Sequence, residues 1–300
     1  MQEISKRPVG FILVVASALF CPCAVLGQES APPQGMVLVP AGAFDMGIEE
    51  ADLPLLAGMG RRVPHMSETH SRWWFGDEVA RHHVEVEEFW LDRCEVTNGE
   101  FRRFVEETGY DAQGDWEEFA RPGREQHPVV SVTWDDASAY AEWAGKRLLT
   151  EEEWEYAARG GADVKWYPWG DTPDPSAANY RHEGESFFEG LGRMIFGQGI
   201  ETKPVGSYPP NGYGLLDMIG NVSEWTASRY GPYPGRPAED WVYTRHGPFR
   251  QNEPMVDGYV VRGGSWQSPN PVFVRLTHRT GFEPSRCDRT LGFRCAMDAD

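Results

Sequence analysis

Long apolar runs are almost absent from this 300-residue sequence, the single one covering residues 9–20 and trailing loosely to Leu26. Positive charge is also scarce: 28 Lys+Arg stand against 46 Asp+Glu, a net charge of −18. A chain this acidic repels phosphate backbones and lacks the basic footprint of a nucleic-acid binder. Of five cysteines, Cys21 and Cys23 sit in the apolar start, and no CxxC pair follows, which excludes the usual zinc-binding spacings. No repeat recurs at 20–50 residues, which excludes a solenoid or propeller. The common catalytic signatures are missing as well. Gly212-Tyr213-Gly214 meets Asp217 where a dinucleotide fingerprint needs glycine or alanine, and Gly264-Ser265-Trp266 meets Gln267 instead of closing a nucleophile elbow. There is no Walker loop and no HExxH helix. His65 and His70, with Glu68 between them, and the pair His82-His83 read as solvated residues, since their spacing suits no single metal ion.

What is abundant is glycine and proline, 33 and 23 residues, well above the usual combined share of about 12%. Aromatic residues make up 13%, with 12 Trp. Bulk for a core together with many enforced turns describes a compact, loop-rich α+β fold and rules out disorder along the whole chain. Lys6 and Arg7 precede the apolar run, and Val25 and Gly27 fill the small-residue positions of a cleavage site. The pattern predicts a signal peptide over 1–27 and a secreted or periplasmic protein, with no membrane span after its removal. Residues 28–34 form a polar linker, and 35–298 read as one domain. Cys94, Cys287 and Cys295 then remain, enough for one disulfide and one free thiol, with the pairing open.

Along the domain, residues 36–46 alternate like a short strand turning back on itself, and 48–80 read as an irregular surface loop. A strand pattern resumes at Val84, Val86 and Phe89. Thr97 with Glu100, and Thr150 with Glu153, announce two helices by capping boxes, closed by Gly109 and Gly160. Between them Asp135 or Asp136 is expected to cap a third helix, which carries Tyr140, Ala141, Trp143 and Ala144 on one side.

One local pattern suggests a ligand. Asp217 and Glu224 bracket Met218-Ile219-Gly220-Asn221-Val222-Ser223, a loop whose carbonyls can turn inward beside two carboxylates. Hard cations such as calcium take six to eight oxygens of this kind. The same two acids would equally serve as turn caps facing water.

Several segments together resemble the formylglycine-generating enzyme family, also called sulfatase-modifying-factor domains. They are MVLVPAGAFDMG (36–47), EVTNGEFRRFVEETGY (95–110), HPVVSVTWDDASAYAEWAGKRLLTEEEWEYAARGG (127–161), YPWGD (167–171), PVGSYPPNGYGLLDMIGNVSEWT (204–226), VVRGGSW (260–266) and LGFRCA (291–296). They fall in family order and cover nearly all of the chain after residue 35. The resemblance implies a fold related to C-type lectins and poor in regular secondary structure. It also implies a family activity, oxidation of a sulfatase cysteine to formylglycine by Cu(I) held on two cysteines. Those two positions here are Ser268 and Phe273, and neither supplies the soft thiolate that Cu(I) prefers. A pocket tryptophan is replaced by Ser223, whereas Ser265 matches a pocket serine. The pocket candidates are therefore Ser265, Ser268, Phe273 and Trp225, with no catalytic residue assigned and copper not expected.

The resemblance further implies calcium at Asp217 and Glu224, with the carbonyls of Gly220 and Val222, and a weaker match to a second site at Asn179 and Tyr180. The aspartate of that second site falls near Gly197, in an altered stretch over 181–203. Cys295 occupies a family disulfide position whose partner aligns near Ala141, leaving Cys94 as a candidate replacement. Arg262, Arg275, Arg279 and Arg294 are expected to tie loops together, and Trp143, Trp154, Trp169 and Trp225 to belong to the core. The expected function is an exported binding or accessory module for a protein, peptide or glycan ligand. The alternative is an oxidase whose chemistry has moved, for instance to Cys287. The related iron-dependent sulfoxide synthases draw histidines from an additional helical domain and fit this chain poorly.

Overall fold

The computed structural model describes residues 32–60, 74–181, 201–236 and 258–299. The signal-peptide expectation, His65, His70 and nearly all of the 181–203 stretch up to residue 200 fall outside those residues. Pro32–Asp300 forms one unit. Its elements are strands β1 (Met36–Val39) and β2 (Gly42–Met46), helix α1 (Leu53–Met59), strands β3 (His82–Val86) and β4 (Phe89–Asp92), and helices α2 (Asn98–Thr108) and α3 (Trp134–Trp143). There follow β5 (Arg147–Leu148), α4 (Glu151–Arg159), β6 (Ser223–Arg229), β7 (Tyr259–Arg262), β8 (Arg279–Phe282), β9 (Leu291–Gly292) and β10 (Cys295–Asp298). The fold is α+β, with one sheet ordered β1-β4-β10-β5, a β2-β3 ribbon and a second sheet ordered β8-β7-β6-β9.

The helices begin where threonine supplies a cap. Thr97 and Thr150 accept the amides of Glu100 and Glu153, and each glutamate returns a bond to the threonine amide. Gly109 and Gly160 end these helices in the left-handed conformation that glycine adopts without strain. The middle helix differs from expectation. Its cap is Thr133, and Asp136 is the third helical residue that closes the box. Asp136 cannot cap because its carboxylate is used elsewhere, accepting the amides of Thr133, Gln113 and Gly114 and the Tyr110 hydroxyl.

Two other expectations change. Residues 36–46 do not pair with themselves: β1 runs antiparallel to β4 and β2 antiparallel to β3. Pro40 lies between them and lacks the amide that a continuing ladder would use. Residues 48–80 are not simply a surface loop. Pro54 lies in the first turn of α1, a place proline tolerates, and Leu53, Leu56 and Phe75 are buried. His82 and His83 do alternate as expected, His82 half-buried against Tyr233 and His83 exposed beside Asp45.

The core falls into two clusters. One gathers Phe75, Phe89, Trp154, Tyr167, Met218 and Val274, the other Phe101, Phe104, Tyr140, Trp225 and Phe293. Loops are pinned to them by buried guanidinium groups, as expected. Arg262 donates to the carbonyls of Leu276, Thr277 and His278 and pairs with Glu155. Arg279 grips Glu151 with two bonds of 2.7 Å and reaches the carbonyls of Asp77 and Gly231. Each fork satisfies backbone oxygens that no regular element would otherwise pair.

Candidate functional site

Gly263 and Gly264 carry the chain out of β7 with φ of +89° and +66°. A Cβ on Gly264 would lie 2.5 Å from the Phe273 carbonyl oxygen, 2.7 Å from Val274 Cγ1 and 3.0 Å from Ser268 Oγ. Only glycine permits this packing, and it brings Ser268 and the Phe273 backbone to one turn. Ser268 Oγ accepts the Ser265 amide at 3.0 Å, the Ser268 amide returns to the Ser265 carbonyl at 2.9 Å, and Ser265 Oγ accepts the Gln267 amide at 3.2 Å. The Phe273 ring sits against Trp74, Phe75 and His278 with centroids 5.8, 6.2 and 5.5 Å away. One position therefore carries a hydroxyl that closes a turn, and the other a ring in an aromatic cluster. Trp225 is not part of this turn. It lies in the second core cluster, its indole donating to the Val132 carbonyl at 3.1 Å.

The thiols lie elsewhere. Cys94, Cys287 and Cys295 are all free, so the Cys94–Cys295 bridge is not formed. The cause is direction. Cys295 is buried in the second core cluster, whereas the Cys94 sulfur faces Gly206. Burial pushes the Cys94 thiol up to about 11, against the nearby Arg294 charge, so at neutral pH it is not a thiolate. Burial likewise raises Cys295.

The Asp217–Glu224 loop docks directly on the Gly263–Ser268 turn. The Gly220 amide donates to the Gly263 carbonyl at 3.0 Å, and the Trp266 amide to the Asn221 carbonyl at 3.0 Å. Asp217 (φ +52°), Gly220 (+77°) and Asn221 (+54°) all adopt left-handed backbone, which turns the loop sharply. Glu224 is fully buried: Arg294 Nη2 reaches Oε1 at 2.7 Å, Arg294 Nε reaches Oε2 at 2.9 Å, and Trp154 Nε1 donates to Oε2 at 2.8 Å. Asp217 accepts the Gly206 amide.

A third acid, absent from the sequence expectation, joins them. Glu95 is 2% exposed; its Oε1 accepts Asn221 Nδ2 at 2.9 Å, and its Oε2 has no partner. Three buried carboxylates thus share the single guanidinium of Arg294. Burial and the Asp217 charge hold Glu95 well above the usual carboxylate range. Asp217 is pushed up to about 6 by burial, with Glu224 adding to it and the Gly206 amide and Arg294 opposing. Surplus buried negative charge with an orphaned oxygen fits a hard cation. Among the described residues no group of three His, Cys, Asp or Glu side chains could hold a metal, so main-chain oxygens such as those of Gly220 and Val222 must complete any such set. Glu95 had no local signal, since it only precedes the Thr97 cap.

Asn179 and Tyr180 lie beside the acid loop. Asn179 donates to the Glu201 carbonyl at 3.0 Å and to Asn221 Oδ1 at 3.2 Å, while its own carbonyl accepts the Asn221 amide at 2.9 Å. Tyr180 is buried, which pushes its hydroxyl up to about 12. The position near Gly197 lies outside the described residues. Beside Asp217, a cavity of about 150 Å³ opens among Trp169, Pro209, Pro210, Leu215 and Met218.

Pinned loops, with a glycine turn docked on an acid loop, define a loop-built α+β domain. The chain belongs to the sulfatase-modifying factor enzyme 1-like domain family, which matches residues 23–299. It is 31% identical over 327 aligned positions to the formylglycine-generating enzyme of Bos taurus, covering 92% of this chain and 78% of that protein. It is 33% identical to the inactive C-alpha-formylglycine-generating enzyme 2 of Mus musculus, covering 94% of this chain and 91% of that one. Among solved structures, PvdO from Pseudomonas aeruginosa superposes with a TM-score of 0.59 at 28% identity, covering 88% of this chain and 94% of that chain. Overall similarity thus lies as near to a relative named inactive as to one named for the oxidation.

Proposed function

We propose that this protein is an exported, non-oxidising member of its family, a binding or accessory module that keeps the scaffold and presents its cleft to a protein, peptide or glycan ligand. The carrying observation is the Gly264 turn, where Ser268 Oγ and the Phe273 ring occupy the two positions that the oxidases fill with thiolates. Hydroxyl oxygen is a poor ligand for Cu(I), and a phenyl ring offers no lone pair. We further assign calcium to the acid loop, held by Asp217, Glu224 and the carbonyls of Gly220 and Val222, with Glu95 a neighbouring buried acid outside the ligand set. When bound, the ion supplies positive charge that balances the buried acids. The chain's own part is to keep Asp217 and Glu224 oriented through the Gly206 amide and Arg294.

The deciding experiment incubates the purified protein with Cu(I), a thiol reductant, dioxygen and a sulfatase-derived CxPxR peptide, and reads aldehyde formation by mass spectrometry. The expected result is unmodified peptide; formylglycine in the product overturns the proposal. One observation favours the oxidase alternative. Arg289 lies 5.2 Å over the Trp266 ring, so the segment carrying the free thiol Cys287 touches the Gly264 turn through that side chain. That reading requires activity that Cys287→Ser abolishes.

A further inference from the structure

A second cavity, of about 350 Å³, lies away from the Gly264 turn, between one face of α3, strand β5, the start of α4 and Ala227 of β6. Trp134, Ser138, Ala141 and Glu142 form its α3 wall, spaced to lie on one stripe of the helix. Trp134 is held rigidly. Tyr259 stacks on one face at 3.8 Å with planes 6° apart, Arg229 lies 4.2 Å from the Tyr259 ring centroid, and the indole N–H is spent on the Thr226 carbonyl at 2.9 Å. Trp134 lines the cavity, which therefore meets an immobilised aromatic side chain with no polar hydrogen to offer.

The opposite wall is polar but electrically spent. Arg147 pairs with Glu153 and Asp298 at 2.7 Å each, and Lys146 pairs with Asp92. Four charged side chains line the cavity, two of each sign: Glu142, Glu153, Lys146 and Arg147. Both cations are neutralised in place, which leaves no site for a phosphate or sulfate. Glu142 is exposed and, among the described residues, has no ion pair, so it remains an acceptor; the hydroxyls of Ser138 and Thr150 add groups able to donate or accept. The volume lies at the small end of ligand pockets, roughly 300–1,000 Å³.

We propose that this cavity is a binding site for a neutral sugar ring, its C–H face laid on the Trp134 indole and its hydroxyls bonded to Glu142, Ser138 and Thr150. A rigid aromatic platform costs little ordering on binding, and a balanced polar wall suits a polyol better than an ion. The proposal extends the binding-module reading without depending on it, since an active oxidase could carry the same cavity.

The test is saturation-transfer NMR on the whole protein with millimolar glucose, galactose, mannose, N-acetylglucosamine and N-acetylgalactosamine, and with N-acetyl-lysine methylamide as the cationic competitor. The expected result is transfer to the ring C–H protons of at least one sugar. Glu142→Ala should weaken it about tenfold. Ser138→Leu, one turn from Trp134, should abolish it while leaving the unfolding midpoint near wild type. Trp134 itself is left intact because its indole also holds Thr226. No transfer from any sugar overturns the proposal. So does displacement of the sugar by the lysine derivative at lower concentration, or binding that neither substitution alters.

Discussion

Arg275 and Glu78, 197 positions apart in the sequence, meet in a two-point ion pair, Nη1 to Oε2 at 2.8 Å and Nη2 to Oε1 at 2.7 Å, with both side chains fully buried. Thr277 Oγ1 donates to the same carboxylate at 2.7 Å, and Arg275 Nε reaches the Val272 carbonyl at 2.7 Å. This pair fastens the segment that carries Phe273 to the segment before β3.

Glu78 therefore sets an acid limit on stability. Burial alone would raise its pKa, but the Arg275 charge and the bonds from His278 and Arg275 bring it down to about 2. A carboxyl more acidic folded than unfolded contributes stability that is complete above about pH 5 and lost as pH falls toward 2. Glu78→Gln leaves Arg275 buried and unpaired, and should cost about 3–5 kcal/mol at pH 7. Urea unfolding of both proteins across pH 7 to 3 checks it: the gap should narrow on acidification. A constant gap would mean that the carboxylate charge is not what matters.

The acid loop has the opposite pH sense. Asp217 binds its proton more tightly folded, at about 6, than unfolded, near 3.8. Without a cation its contribution to stability therefore falls as pH rises from about 4 to 6, and a bound divalent ion should reverse that loss. Calcium at about 100 times its dissociation constant should add roughly 2.7 kcal/mol at pH 7 and less at pH 5, where protons compete. Calorimetric melts with calcium and with chelator give the comparison.

Glu95 offers a sharper version of this test. In chelator, Glu95→Gln removes one of three crowded buried acids and should leave stability unchanged or raise it by about 1 kcal/mol. In calcium the same variant should gain less, because the ion already balances the crowded acids. An equal gain in both conditions would show that the ion and Glu95 do not share one electrostatic field.

Local chemistry explains why some features could be read from the sequence. Thr97–Glu100 and Thr150–Glu153 are three residues apart, so their capping bonds are written in adjacent letters. Asp135 and Asp136 obscure the third box, since neighbouring acids both resemble caps, although Thr133 also stands three residues before Asp136 and exchanges the same two bonds with it. Pro54, Gly58 and Gly60 disguise α1 as a loop, although Leu53 and Leu56 are core residues. The acid loop is legible as a local pattern, two carboxylates bracketing a small-residue turn, whereas the Gly264 turn is legible as a pocket only through the family motifs. Glu95 was not located, because its site exists only once residues 126 positions apart meet, as Glu95 and Asn221 do.

Restoring thiols at the Gly264 turn should restore copper binding. Ser268 Oγ and the Phe273 carbonyl both lie within 3.0 Å of where a Cβ on Gly264 would stand, so the backbone already holds the two positions together. The double substitution Ser268→Cys and Phe273→Cys should let the protein take Cu(I) from a chromophoric chelator at one ion per chain, whereas wild type and each single variant should not compete. Loss of the Phe273 ring from its contacts with Trp74 and Phe75 should cost about 2–4 kcal/mol. Binding is therefore to be read below the variant's unfolding midpoint. Copper uptake by wild type would show that soft ligands exist elsewhere in the chain. Failure of a folded double variant to bind would show that the turn's geometry, as well as its donor atoms, has departed from that of the oxidases.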